Sequence, residues 1–201
     1  MTTKTRDDKE KMGKIVLVTG GARSGKSRFA EEYAQQLSDK VAYIATAQVL
    51  DAEMADRVKL HQQRRSHQWR TFEAAVDAEQ AIKAAADFPV ILFDCLTLYT
   101  SNLLLAEQAS NIEDRRESIL GRAAQLFQAA QSGTATVVFV TNEVGLGIVP
   151  DNALSREYRD LAGWINQAAA AAAEEVYLVV CGLAVELKRI AHPVNADGGW
   201  R

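Results

Sequence analysis

Residues 20–27 read GGARSGKS and satisfy G-x-x-x-x-G-K-[ST], with Gly20, Gly25, Lys26 and Ser27 at the fixed places. Each residue type answers a demand of phosphate chemistry. Glycines let the backbone wrap so closely that its N–H groups can point at phosphate oxygens. A helix starting at the end of the segment adds the positive end of its dipole. A lysine at position 26 can reach terminal phosphates, and a hydroxyl at position 27 can ligate Mg²⁺. The flanks fit the same purpose. Residues 14–19, KIVLVT, form a short apolar run expected as a buried strand. Residues 28–37 place Phe29, Tyr33 and Leu37 four apart, as one face of a helix requires. A glycine-rich turn that matched by chance would need neither flank. The segment therefore predicts binding of a nucleoside triphosphate.

Further reactive side chains fall at the ends of other apolar runs. Asp94 closes VILFD and suits either an acid ordering Mg²⁺ or a cap on the next helix. Thr46 and Gln48 follow VAYIA, while Thr141, Asn142 and Glu143 follow ATVVFV. Glu143 fits a second metal-linked acid or base, and equally a loop residue satisfying local N–H groups. The segment 51–68 carries Arg57, His61, Arg64 and Arg65, spaced to share one helix face. Spacing alone favours a solvated basic face. The alternative is a phosphate clamp around an imidazole nucleophile, kept neutral by the neighbouring guanidinium charges. His67 could fill the same place, and His192 reads as a surface residue.

The elements that must position these residues alternate. Strands are expected at 14–19, 41–45, 89–94, 135–140 and 175–181. Helices are expected at 28–37, 51–68, 71–86, 96–106, 112–131 and from the Asn152 cap to 173, with the remainder a short tail. Ser132-Gly133 stops the long amphipathic helix, and 141–150 is a glycine-containing loop. Such alternation predicts an α/β chain with a mostly parallel sheet, covered by helices on both faces. Its ligands would sit beyond the carboxyl ends of the strands.

The chain has 201 residues, 48% of them hydrophobic and 24% charged, which suits one α/β domain over 13–201. A net charge of −3 without a long basic block gives nucleic-acid binding little support. No apolar run reaches about 18 residues, so no membrane span is expected. Residues 1–12, MTTKTRDDKEKM, lack an apolar stretch and read as a disordered leader or a late start codon. Cys95 and Cys181 are expected as buried free thiols in a reducing cytoplasm.

Taken together, these segments resemble the bifunctional adenosylcobinamide kinase / adenosylcobinamide-phosphate guanylyltransferase family of cobalamin biosynthesis. The similarity rests on VTGGARSGKSRFAE (18–31), YIATAQ (43–48), D-x-E-M-x-x-R-V-x-x-H from Asp51 to His61, and W-R-T-x-E (69–73). It continues through DCLTLYTSNLL (94–104), TNEVGLGIVPDNALSREYRDLAGWINQ (141–167) and AAAAEEVYLVVCGL (170–183). Tyr99 stands where relatives often have Trp, Leu60 where they are often polar, and 1–12 has no counterpart in shorter relatives. The resemblance implies a RecA-like P-loop NTPase fold. It also implies that His61 is the nucleophile taking GMP from GTP. The other implied nucleotide contacts are Gly20, Gly21, Ala22, Arg23, Ser24, Gly25, Lys26 and Ser27, then Thr46, Ala47 and Gln48. Gln62, Gln63, Arg64, Arg65, Glu73 and Asp94 complete them. Ser27 and Asp94 would hold Mg²⁺, and Lys26 would join His61 as a catalytic group. ATP or GTP would phosphorylate adenosylcobinamide, and GTP would then guanylylate the product. A cytoplasmic homotrimer is implied. Without the resemblance, a small-metabolite kinase or a nucleotide-binding regulatory module would also fit the loop.

Overall fold

In a computed structural model, which describes residues 13–47 and 68–192, seven strands form one sheet in the order β3-β2-β4-β5-β1-β6-β7. The strands are β1 (Lys14–Gly20), β2 (Val41–Ala45), β3 (Arg70–Glu73), β4 (Val90–Asp94), β5 (Thr136–Val140), β6 (Glu175–Val180) and β7 (Leu183–Glu186). Every neighbouring pair is parallel except β6 with β7. The helices are α1 (Lys26–Leu37), α2 (Ala78–Ala84), α3 (Leu96–Ala106), α4 (Ile112–Ser132) and α5 (Ala153–Ala172), with a 3₁₀ turn at Leu187–Arg189.

Alternation along each central strand divides its side chains between two cores. Ile15, Leu17, Ala42, Ile44, Ile91, Phe93, Val137 and Phe139 point into the larger core, together with buried residues of α2 to α5. Val16, Val18, Val41, Tyr43, Val90, Leu92, Val138 and Val140 form the smaller core with Ala30 and Ala34 of α1. Burial on both faces explains why these strands read as unbroken apolar runs. Phe93 ties the larger core together, edge-on to Tyr99 and 5.2 Å from Phe139 between ring centroids. The helix ends also follow the sequence. Asn111 accepts from the Asp114 N–H, and Asn152 from the Ser155 N–H, each at 2.8 Å.

Three expectations need correction. Residues 71–86 are not one helix. Arg70–Glu73 is an edge strand paired with β2, and only 78–84 is helical. The alanines that suggested helix lie after the strand. Phe72 is its one large apolar side chain, so a period of two had little to register on. The tail after 181 contains β7, which turns back antiparallel on β6. Its leucine and valine are exposed, so no burial pattern marked it. That turn also places Cys181 outside: Cys95 is buried as expected, whereas Cys181 is exposed. The expected helix at 51–68 lies outside the described residues but for Gln68.

At the amino end of the strands, β1 and β6 are joined by Glu175. Lys14 Nζ donates to its Oε1 at 2.5 Å, and the Tyr33 and Tyr177 hydroxyls donate to Oε2 at 2.7 and 2.8 Å. Burial alone would raise the Glu175 carboxyl, but these donors outweigh it and bring its pKa from 4.5 down to about 2. A depressed carboxyl stabilises the fold above its unfolded pKa, and that contribution fades as pH falls towards the folded value. Urea unfolding should therefore show stability declining between pH 4.5 and about 2, with Glu175→Gln flattening part of that decline. An unchanged pH profile in the variant would remove Glu175 as its source.

Candidate functional site

Sheet register brings the polar strand ends to one edge. Ala45 is level with Asp94 and with Glu73, Asp94 with Val140, and Val18 with Val140. The next residues continue the ladders: Thr46 N–H donates to the Asp94 carbonyl at 3.2 Å, and Thr141 N–H to the Val18 carbonyl at 2.9 Å. Beyond β1 the chain folds into the glycine loop and enters α1 at Lys26. Gly20 has no alternative there, because a Cβ would lie 2.4 Å from the Val179 carbonyl oxygen of β6.

Lys26 is buried and donates from Nζ to the Gly21 carbonyl at 3.1 Å, so the side chain lies back across its own loop. Desolvation lowers its pKa, while Cys95 and Asp94 act in the opposite sense. Asp94, on β4, accepts from the Tyr43 hydroxyl at 3.1 Å. One strand, β5, stands between it and β1. With Ser27 on the first turn of α1, Asp94 supplies the hydroxyl and carboxylate oxygens that suit a hard ion such as Mg²⁺. The adjacent Cys95 is held as a thiol, its pKa driven by burial up to about 11, and has no nucleophilic character at neutral pH.

A polar network beneath this edge was absent from the expectations. Asn166 Nδ2 donates to the Asn142 carbonyl at 3.1 Å and to Glu143 Oε1 at 3.4 Å, while its Oδ1 accepts from the Thr141 hydroxyl at 2.7 Å. Glu143 Oε1 also accepts from the Thr19 hydroxyl at 2.9 Å, and its N–H reaches the Gly20 carbonyl at 3.3 Å. Glu143 thus braces the loop to β1 through Thr19 and Gly20, contacts that neither expected role named. Asn102 Nδ2 bridges the Thr46 and Ala75 carbonyls at 2.8 and 3.0 Å. Lone asparagines on otherwise apolar faces of α3 and α5 were the available signal. Replacing Asn166 with leucine should leave the buried Thr141 hydroxyl and the Asn142 carbonyl without these partners, at a cost of about 1–3 kcal/mol. Denaturant titration checks this, and unchanged stability would deny the network its structural part.

The expected site residues divide three ways. Gly20 to Ser27 and Asp94 stand two strand spacings apart near the middle of the edge, and Thr46 and Ala47 follow β2 one strand further out. Glu73 shares the edge but lies four strand spacings from β1, or about 19 Å. Gln48, His61, Gln62, Gln63, Arg64 and Arg65 lie outside the described residues, whose gap between 47 and 68 opens and closes beside β2 and β3.

A glycine-rich phosphate loop between a central parallel strand and its following helix, with a carboxylate at the end of a nearby strand, defines a P-loop nucleotide-binding α/β protein. The comparisons narrow this class. The family described as cobinamide kinase / cobinamide phosphate guanyltransferase matches residues 16–187, and the chain belongs to it. The bifunctional adenosylcobalamin biosynthesis protein CobU of Escherichia coli K12 is 45% identical over 181 residues, covering 87% of this chain and 99% of that protein. CobU of Salmonella typhimurium LT2 is 46% identical over the same shares. CobP of Pseudomonas aeruginosa PAO1 is 42% identical over 173 residues, covering 86% and 96%. Among solved structures, the RadB recombinase is similar at 14% identity with a TM-score of 0.46, covering 83% of this chain and 74% of that one. Among the described residues, no helix is long and apolar enough to cross a membrane.

Proposed function

We propose that the chain phosphorylates adenosylcobinamide and then transfers GMP from GTP to the resulting phosphate, giving adenosyl-GDP-cobinamide. The observation that carries this reading is the family match over residues 16–187, whose span includes the phosphate loop, Asp94, Glu143 and the His61 segment. In the first reaction the loop backbone and Lys26 hold a triphosphate of ATP or GTP. The acceptor hydroxyl attacks the γ-phosphorus, and the nucleoside diphosphate leaves. Mg²⁺ at Ser27 and Asp94 would supply charge neutralisation between the phosphates.

In the second reaction an imidazole nitrogen of His61 attacks the α-phosphorus of GTP. A P–N bond forms, the bond to the β-phosphate oxygen breaks, and pyrophosphate departs. A phosphate oxygen of the acceptor then attacks the same phosphorus, the P–N bond breaks, and neutral histidine returns. Two displacements through a reactive phosphoramidate replace one difficult transfer. We assign Thr46, Ala47, Gln48, Gln62, Gln63, Arg64, Arg65 and Glu73 to the same nucleotide. The chain would work in the cytoplasm as a homotrimer. Exposed apolar side chains such as Leu146, Ile148, Leu183 and Val185 offer area for contact between copies. A sedimentation mass of one 22.0 kDa chain would remove the trimer from the proposal.

The experiment is incubation with Mg²⁺ and GTP labelled at the α-phosphate, followed by denaturation. Retained label that is acid-labile and alkali-stable is expected. Phosphorylation of adenosylcobinamide without retained label would leave a P-loop kinase that transfers no GMP.

A further inference from the structure

The hairpin of β6 and β7 lies at the sheet edge and has no part in the chemistry proposed above, yet its turn is fitted to the phosphate loop. The Gly182 N–H donates to the Ser24 carbonyl at 2.8 Å. A Cβ on Gly25 would lie 3.3 Å from Gly182 Cα, and Gly20 is packed more tightly still on Val179. The hairpin and loop thus touch along the loop's outer side.

This single hydrogen bond has a directional consequence. Across a trans peptide, the carbonyl and the following N–H point in opposite directions. Among the described residues, the one cis peptide is Asp94–Cys95, so the Ser24–Gly25 unit is trans. Tying the Ser24 carbonyl to Gly182 turns the Gly25 N–H away from the hairpin. The turn itself is built for this. Val180 pairs with Leu183, leaving Cys181 and Gly182 as a two-residue connection with φ of 52° and 79°. Left-handed backbone at both central residues is the pattern of tight hairpins with the sheet's own twist. It fixes where the Gly182 N–H points.

We propose that the 181–182 turn is the outer wall of the phosphate cradle, and that Gly182 is a positioning residue for triphosphate binding. The proposal rests on residues 20–27 being that cradle. Gly182→Pro removes the donor and, because proline cannot adopt a φ of 79°, the left-handed turn that aims it. Binding of a fluorescent mant-ATP with Mg²⁺ should weaken about tenfold or more in Gly182→Pro, which loses both the hydrogen bond to Ser24 and the turn that directs it. The loss should be smaller for mant-AMP, which has fewer phosphates to place. A role confined to fold stability would weaken all nucleotides alike. Gly182→Pro that folds and keeps full mant-ATP affinity overturns the proposal. Should that variant not fold, amide hydrogen exchange of the unchanged chain decides. The Gly182 amide is expected to exchange slowly, and more slowly with Mg²⁺-ATP. Exchange as fast as an open turn, indifferent to nucleotide, overturns the proposal. An unchanged protein that binds no mant-ATP removes the cradle reading and this proposal with it, an outcome distinct from a variant that keeps its affinity.

Discussion

His61→Ala is expected to abolish the covalent guanosine adduct and to lower GMP transfer on the order of a thousandfold or more, while leaving cobinamide phosphorylation within about threefold. The separation follows from where each reaction breaks a bond. Kinase chemistry at the γ-phosphorus needs an acceptor hydroxyl and a positioned triphosphate, and no protein nucleophile. Attack at the α-phosphorus in the proposed route needs an unprotonated imidazole, and alanine offers nothing in its place. The buried thiol of Cys95, held protonated, is no substitute. Assaying the two half-reactions separately, with label at the γ- or the α-phosphate of GTP, reads both effects. An undiminished adduct in His61→Ala would move the nucleophile elsewhere, with His67 the next to test. Loss of both activities would mean that the two reactions share more machinery than proposed.

Lys26→Ala should depress both reactions by about 10²–10³ in kcat, because one preorganised cation is removed from the charge that develops on the phosphates. Its effect on stability should be slight or favourable. The ammonium is buried, and desolvation already lowers its pKa. Removing a costly buried charge whose hydrogen-bond partner is the Gly21 carbonyl of a partly exposed loop exacts little from the fold. Activity and melting temperature therefore separate in this variant, as they would not if Lys26 served mainly to hold the loop. Full kinase activity in Lys26→Ala would refute residues 20–27 as the working phosphate cradle.

The parts of the fold legible in the sequence were those whose pattern is set by burial or by a cap. β1, β2, β4 and β5 lie between helices on two faces, so both of their side-chain sets are apolar and the strands stand out as runs. Asn152 marked the start of its helix through its side-chain oxygen. β3 and β7 left no such mark. Each is an edge strand of four residues whose pairing depends on the neighbour it meets, and neither carries a sustained buried face. Cys181 was misplaced for the same reason, since its exposure follows from a turn that exists only because β7 pairs back on β6.

By itself the sequence determined the phosphate loop, the parallel sheet and the family, because each depends on residue types at fixed local spacing or on identity along the chain. The tertiary structure decided what distance and neighbourhood decide. It set Glu73 at the far side of the edge from Gly20, and it recruited Asn102 and Asn166 to brace the strand ends. It also placed the turn at Gly182 against Ser24, across more than 150 residues of chain. Contacts of that range are made by strand order and register, which are properties of the packed sheet and not of any one segment.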